Sequence, residues 1–322
     1  MVIKISKEEI GKIAKMLDEK SIYERIKVKS SFFYKLTAVI IISIIAVLVL
    51  YLILGIKGTL LISWEIVFLG FLFETMDSSS GMGFGTGLTP LLFLMGYSPL
   101  QVVPVLLISE TITGLLDAIF DHELHNVQFS FKPLNEATKI SLNLGFLGSL
   151  SIIISIIIGY LAIELPSEII KLYVAVLVIF MGVSNIFRVI FYKKIKNKKY
   201  NPKKLIGFAV LAGFNKGIGG GGYGPVITLG EIMSGIYEKS ATAISSFAEC
   251  IVSFVGVLCF FFISNYGVAV DYAILPSILI GGIFAAVLSP YLVRILPNKI
   301  WKFVIPLYAF ALGIYSLISL II

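Results

Sequence analysis

Two glycine-rich segments of the chain combine residue types that could bind a small anion. The first reads Gly83-Phe84-Gly85-Thr86-Gly87-Leu88-Thr89-Pro90, and the second reads Lys216-Gly217-Ile218-Gly219-Gly220-Gly221-Gly222-Tyr223-Gly224-Pro225. Proline suits the first turn of a helix, so a helix is predicted to begin near the end of each segment. The first N–H groups of a helix are unpaired and its dipole is positive there, so these two points should attract anions.

The predicted anion site takes its donors from both segments. Backbone N–H groups are expected from Gly85, Gly87, Gly219, Gly220, Gly221 and Gly222, and hydroxyl groups from Ser79, Ser80, Thr86 and Thr89. Lys216 adds a mobile positive charge beside the second segment. The alternative is close helix packing, because small residues let membrane helices approach each other. Two similar clusters that each end in proline favour the binding site.

Two glutamates that follow the glycine-rich segments are candidates for proton coupling or gating. Glu110 lies 20 residues after Pro90, and Glu249 lies 24 residues after Pro225. A carboxylate in an apolar helix is costly and normally faces a cavity or a partner. Either glutamate could therefore exchange a proton near neutral pH. The alternative is a protonated glutamate whose hydrogen bond serves the structure alone.

Matched spacing of glycine and proline indicates an internal duplication. Gly85, Gly87 and Pro90 recur as Gly220, Gly222 and Pro225, each 135 residues later. In each copy, the glycine-rich segment precedes a helix with an embedded glutamate, and two uninterrupted apolar spans follow. Repeats with broken helices at matching positions are typical of secondary transporters. We assign the repeats to residues 60–192 and 205–322.

Composition places the chain in a membrane. Of its 322 residues, 58% are hydrophobic and 14% are charged, whereas a soluble domain carries about 25% charge. The uncharged run Leu36–Gly55 has 20 residues and Ile140–Ile163 has 24, and a membrane-spanning helix needs about 20. The prediction is an all-α, polytopic integral membrane protein with inverted internal repeats and broken or re-entrant helices. A disordered chain, a disulfide scaffold and an ordinary soluble enzyme are excluded.

Basic segments predict the topology. Residues 1–35 hold nine Lys/Arg, and residues 188–204 hold eight without an acidic residue. Because positively charged flanks stay inside, the N-terminal segment 1–35, with one amphipathic helix over 7–29, and the basic loop 193–204 are predicted to be cytoplasmic. An extra first span over 36–59 carries the chain outward, so each repeat crosses an odd number of times and the C-terminus lies outside. Three full crossings plus one broken or re-entrant pair per repeat are favoured over five short crossings.

Other candidate chemistry is weaker. His122 and His125 could hold a metal ion only with a third ligand from elsewhere, and Cys250 and Cys259 suit neither a metal nor a disulfide. The spans contain no Ser/His/Asp or Cys/His arrangement, and no Gly-Lys-Ser/Thr follows the glycine run. We therefore expect no metal, no cofactor and no enzymatic activity. The basic segments lack interleaved aromatic residues and a recognition fold, so no nucleic acid partner is expected.

The motifs resemble those of the TauE/SafE family of membrane transporters, the sulfite-exporter group. The resemblance rests on the two glycine-rich segments, on Ser98-Pro99 and on the helix through Glu110, and it covers about residues 60–322. The second segment matches the family pattern better than the first, where Phe84 and Thr86 separate the glycines. The resemblance implies transport of small sulfur-containing anions such as sulfite and sulfonates.

The sequence as a whole predicts a secondary transporter of small anions that works by alternating access in the cell membrane, with proton coupling as a further hypothesis. Its expected partners are the anionic substrate and the lipid bilayer, and a homo-oligomer is left open. A passive anion channel is the main alternative, and an intramembrane enzyme or a scaffold is the weaker one. Saturable, gradient-driven flux would favour the carrier, whereas unitary conductance would favour the channel.

Overall fold

The protein is described by a computed structural model over residues 10–28, 30–53, 62–195, 202–295 and 301–321. Helices account for most of these residues. They are α1 Lys12–Asp18, α2 Ile22–Ile26, α3 Ser30–Ile53, α4 Trp64–Ser80, α5 Thr89–Leu94, α6 Pro99–Glu123, α7 Glu136–Ile156, α8 Ser167–Ile195, α9 Pro202–Gly219, α10 Tyr223–Met233, α11 Glu238–Ser264, α12 Leu275–Ile295 and α13 Trp301–Ile321. π-helical turns cover Phe84–Leu88 and Ile157–Ala162.

Several of these helices are long and apolar enough to cross a membrane. Within the described residues, five stretches meet both conditions: Pro99–Glu123, Glu136–Ala162, Ser167–Ser184, Glu238–Ser264 and Leu275–Ile295. Together with the helical content, they confirm the predicted all-α, polytopic membrane protein. Helix α3 covers most of the predicted first span, whose residues 54–59 lie outside the described part, as do residues 196–201 of the predicted basic loop.

Helix packing follows the internal duplication. In chain order, α4 to α8 of the first repeat correspond to α9 to α13 of the second. Helix α4 packs along α12, and their counterparts α9 and α7 pack along each other in the same way. Helix α6 packs against α12, just as α11 packs against α7, and the counterparts α6 and α11 also contact each other. Each of these contacts therefore has a counterpart in the other repeat, as expected if a pseudo-two-fold axis relates the two repeats.

The counterpart helices α6 and α11 run in opposite directions. Near the end of α6, the Asn126 carbonyl accepts a hydrogen bond of 2.8 Å from Ser240 Oγ, which lies near the start of α11. At the other end, Gln101 Nε2 in the first turn of α6 donates 2.7 Å to Asp271 Oδ2, beyond the end of α11. An axis that relates two antiparallel helices is perpendicular to them. The packing thus agrees with the predicted inverted repeats.

A broken helix pair opens each repeat at its glycine-rich segment. Helix α4 ends at Gly81, which has a φ of 70°, and the chain continues through the π-helical turn into α5. In the second repeat α9 ends at Gly219, and Gly220 and Gly222 take φ values of 73° and 87° before α10 begins. Only glycine adopts this backbone conformation without strain. Three longer helices follow each pair, which is the arrangement that the sequence analysis favours.

The N-terminal segment packs onto the helix bundle. Asp18 Oδ1 lies 2.5 Å from Lys239 Nζ of α11, and Tyr237 donates a hydrogen bond to the same carboxylate. Arg294 of α12 donates to the carbonyl of Arg25 at 2.8 Å. The predicted single helix over 7–29 is wrong within the described residues, which form α1 and α2. The reason is the capping box Ser21-Ile22-Tyr23-Glu24, which starts a new helix at this point.

Gly11 allows the segment to approach α11 closely. Its φ is +84°, and a Cβ at this position would lie 2.4 Å from the Tyr237 Cβ. We expect Gly11→Ala to weaken docking by at least about 1 kcal/mol, because the backbone strain and the clash act together. Limited proteolysis should cleave residues 10–28 faster in this variant than in the wild type or in Lys20→Ala, which changes an exposed residue. Equal cleavage rates would show that this contact does not hold the segment.

Candidate functional site

A lysine held between two glutamates lies where the repeats meet. Lys216 is in the last turn of α9, and its side chain is fully buried. Its Nζ lies 2.5 Å from Glu110 Oε2 of α6 and 2.7 Å from Glu249 Oε1 of α11. The structure therefore brings together three charged residues that the sequence analysis singled out separately.

The charges of this cluster do not balance. Two carboxylates surround one ammonium group, so the fully ionised cluster carries an excess negative charge. Burying an unpaired charge is costly, and removing one partner of a buried ion pair costs about 3–5 kcal/mol. The carboxylates compensate the positive charge of Lys216, so an anion that binds there must compete with them. A proton bound to Glu110 or Glu249 would relieve the imbalance.

The two glycine-rich segments cross each other beside this cluster. A Cβ on Gly221 would lie 1.9 Å from the Gly85 carbonyl oxygen, and a Cβ on Gly85 would lie 2.3 Å from the Gly221 Cα. Close by, a Cβ on Gly224 would lie 2.8 Å from the Gly81 carbonyl oxygen. The broken helices of both repeats thus meet backbone to backbone, which only residues without a side chain allow. Close packing and anion binding are both compatible with this crossing.

Some backbone donors of the predicted site already have partners. Gly87 N donates 2.6 Å to the Gly83 carbonyl, and Gly220 N donates 2.8 Å to the Lys216 carbonyl. Gly219 packs against the Val174 side chain, where an added Cβ would come within 2.5 Å. Gly222 takes its positive φ next to the side chain of Met181. Of the predicted backbone donors, Gly85 and Gly221 lie at the crossing itself.

The four predicted hydroxyl donors fall into two classes. Ser79 and Ser80 donate to carbonyls of their own helix, at 2.5 Å to Thr75 O and 2.9 Å to Met76 O. Thr86 and Thr89 are also buried, but neither hydroxyl has a hydrogen-bond partner among the described residues. A buried hydroxyl without a partner loses free energy on folding. Thr86 and Thr89 are therefore the predicted hydroxyl donors with a free hydrogen-bonding capacity.

Three further carboxylates surround a small cavity next to the lysine. The cavity, of about 10 Å³, is lined by Glu74, Asp77, Glu110, Thr113, Gly114, Asp117, Ser246 and Glu249. Ser78 donates 2.6 Å to Asp117 Oδ2, and Asp77 Oδ1 accepts 3.3 Å from Phe84 N. Glu74, Asp77 and Asp117 are not among the site residues predicted from the sequence. Asp117 could have been found from its spacing: it lies seven residues after Glu110, which puts both carboxylates on one face of the helix.

The histidine pair lies at the end of α6, away from the lysine. His122 Nδ1 accepts a 3.0 Å hydrogen bond from Phe129 N, so it fixes the turn after α6. Among the described residues, no group of three or more metal-ligating side chains has metal-site geometry.

Comparison with known proteins identifies the family. The family model "Sulfite exporter TauE/SafE" matches residues 66–316, which include both broken helix pairs and the buried lysine. The chain belongs to the TauE/SafE family. A curated relative from Bacillus subtilis (strain 168), the "Probable membrane transporter protein YtnM", is 28% identical over 233 residues, covering 70% of this chain and 73% of YtnM. No solved structure gives a significant match. This TauE/SafE protein is a multi-pass membrane transporter, and its family and relative indicate transport rather than enzymatic catalysis.

Proposed function

We propose that this protein is a secondary transporter that couples the movement of a small anion to protons. The observation that carries the proposal is Lys216, fully buried between Glu110 and Glu249 at the crossing of the two broken helix pairs. In transporters built from repeats, the substrate site lies at such a crossing near the bilayer midplane. Lys216 is the cation that an anion would meet there.

Competition for the lysine provides the coupling. An anion that approaches Lys216 must displace a carboxylate of Glu110 or Glu249, which would then be a buried charge without a partner. Binding a proton to the displaced carboxylate removes that charge, so anion and proton bind together. Alternating access follows when one repeat rocks against the other around the crossing. The contacts of α7 with α9 and of α4 with α12 join the two repeats, so this motion would change them.

The proposed substrates are small sulfur-containing anions such as sulfite and sulfonates. The supporting chemistry is one ammonium group together with buried hydroxyl donors, Thr86 and Thr89, on the first glycine-rich segment. The family is described as sulfite exporters, which adds support for sulfur oxyanions. We further propose the cell membrane as the location, with the basic N-terminal face cytoplasmic and the C-terminus outside, because basic flanks stay inside.

Glutamine at the two glutamates should separate anion transport from proton coupling. Glutamine can still accept a hydrogen bond from Lys216, but it cannot bind a proton. We expect Glu110→Gln and Glu249→Gln to lose most of the acceleration that a proton gradient gives to anion uptake, by about tenfold or more. Uptake of sulfite, sulfate, thiosulfate and methanesulfonate into proteoliposomes, with and without a pH gradient, measures this effect.

Glu231→Gln is the matched control. Glu231 is fully buried on α10 and accepts a 3.0 Å hydrogen bond from Ser245, but it does not line the cavity. Its glutamine variant should keep wild-type coupling. If both glutamate variants at the lysine also keep full coupling, the coupling mechanism is wrong. Unitary anion conductance across planar bilayers would instead favour a channel.

A further inference from the structure

One face of helix α6 carries a row of buried acidic residues. Glu110, Asp117 and Asp121 follow at intervals of seven and four residues, and each side chain is almost completely buried. At a rise of about 1.5 Å per residue, the row spans about 16 Å along the helix. That distance is about half of the 30 Å hydrocarbon core of a bilayer. Acidic side chains at membrane depth are rare and mark ion or proton routes.

On the described parts of α6 and α11, the charged residues near the lysine lie on one side of it. Because α6 and α11 are antiparallel, the second half of α6 faces the first half of α11, which carries Lys239, Thr242, Ser246 and Glu249. On the opposite side of the lysine, residues 102–108 of α6 and 254–263 of α11 are apolar. Along these two helices, charged residues therefore extend from the lysine towards one end of the bundle, whereas the segments towards the other end are apolar.

Neighbouring members of the row are close enough to interact. Asp121 lies one helical turn from Asp117 on α6, and Glu74, Asp117 and Glu110 line the same cavity. Ser78 bridges the gap by donating to Asp117 Oδ2, and its oxygen lies 3.5 Å from Glu74 Oε1. The carboxylates from Asp121 to Glu110 are thus neighbours rather than isolated buried groups.

Oxygen atoms without partners point to a species that binds in this row. Glu110 Oε1, Glu74 Oε2 and Asp117 Oδ1 are buried and have no hydrogen-bond partner among the described residues. Glu110 uses its other oxygen for Lys216, and all three residues line the same cavity. The cavity is about the size that one water molecule needs. Carboxylate oxygens in contact with such a cavity can accept and pass on protons.

We propose that this row is a one-sided proton path to the buried lysine cluster. A proton would enter at Asp121 and pass through Asp117 and Glu74 to Glu110. Each step moves one proton from a carboxylic acid to the next carboxylate, with no other bond made or broken. The inference rests on the proposed function and adds to it the route and the side from which protons arrive.

Charged groups on four other helices lie near the path. They are Glu74 and Asp77 on α4, Lys216 on α9, Lys239 and Glu249 on α11, and Arg294 on α12. The entrance of the path lies next to the N-terminal segment. Asp121 accepts a 2.7 Å hydrogen bond from Asn126, and the Asn126 carbonyl accepts one from Ser240. Lys239, near Asp121, forms an ion pair with Asp18 of α1. The path therefore opens towards the face that the N-terminal segment covers.

Asparagine variants of the path residues test the proposal. Asp117→Asn and Asp121→Asn keep the shape and hydrogen-bonding capacity of the side chain but cannot carry a proton. With a pH-sensitive dye inside proteoliposomes, we expect proton movement driven by sulfite, sulfate, thiosulfate or methanesulfonate to fall about tenfold or more. The increase in unfolding temperature that the same anion causes in the purified protein should equal that of the wild type. Glu231→Gln, a buried carboxylate away from the cavity, should behave as wild type.

Thr113→Val provides a second variant if the asparagine variants do not fold. It keeps the side-chain shape of a fully buried residue that lines the cavity, but removes its hydroxyl. Slower proton movement with an unchanged anion thermal shift would again support the path. Wild-type proton movement in Asp117→Asn, Asp121→Asn or Thr113→Val would overturn it, even if Glu110→Gln abolished coupling. If no anion drives proton movement in the wild type, the proposed function fails and the path fails with it.

Discussion

Replacing Lys216 by methionine should abolish anion transport and strongly destabilise the protein. Methionine keeps much of the length of the side chain but removes the charge that holds Glu110 and Glu249 at 2.5 and 2.7 Å. Two buried carboxylates would then face each other without a cation. Losing one partner of a buried ion pair costs about 3–5 kcal/mol. Thermal unfolding of the purified variant and anion uptake into proteoliposomes measure the two effects.

A triple variant distinguishes the structural role of Lys216 from its role in transport. Combining Lys216→Met with Glu110→Gln and Glu249→Gln removes the uncompensated charges, and replacing a complete buried ion pair is often neutral for stability. We expect the triple variant to recover most of the thermal stability but none of the transport. Near-wild-type uptake by Lys216→Met or by the triple variant would show that the anion does not need this lysine.

Gly221→Ala should prevent the two broken helix pairs from packing together. The new Cβ would lie 1.9 Å from the Gly85 carbonyl oxygen, and a backbone atom cannot rotate away as a flexible side chain can. Overpacking typically lowers the free energy of unfolding by about 1–3 kcal/mol. Because this clash is with a backbone atom, we expect a loss of stability at or above the upper end of that range. The variant should give little monodisperse protein, a lower unfolding temperature and a loss of anion uptake.

Gly207→Ala is the control for the glycine substitution. Gly207 lies in the same helix as Lys216, and no atom comes within 4 Å of an added Cβ. Alanine also favours a helix over glycine by about 1 kcal/mol. This variant should therefore equal or exceed the wild type in stability and in uptake. If Gly221→Ala behaves like Gly207→Ala, the two segments do not cross as closely as described.

Features that repeat along the chain could be predicted from the sequence. The offset of 135 residues between Gly85 and Gly220 indicated two units with matching broken helices, and the structure packs these units by one scheme. Glu110 and Glu249 were predicted to face a cavity or a partner because carboxylates in apolar helices are costly. Both predictions use local patterns or energies that are independent of the tertiary packing.

The pairing of charges could not be predicted, because it depends on the packing of three helices. Lys216 was expected to lie beside the anion as a mobile positive charge, yet it contacts carboxylates that lie 106 and 33 residues away in the chain. The hydroxyls of Ser79 and Ser80 were expected to face the anion, but both bond to carbonyls four residues earlier. Serine often forms this bond within a helix, so this competition was foreseeable.

Proton uptake on anion binding tests the role of Lys216 most directly. Calorimetric titration of the purified protein with thiosulfate, sulfate or methanesulfonate, which stay ionised, is repeated in two buffers of different ionisation enthalpy. Because the anion displaces a carboxylate that then binds a proton, affinity should rise as the pH falls, and the wild type should take up about one proton per anion. A variant that combines Glu110→Gln with Glu249→Gln should bind without proton uptake. Anion binding to the wild type without proton uptake, or with equal affinity to Lys216→Met, would contradict the mechanism.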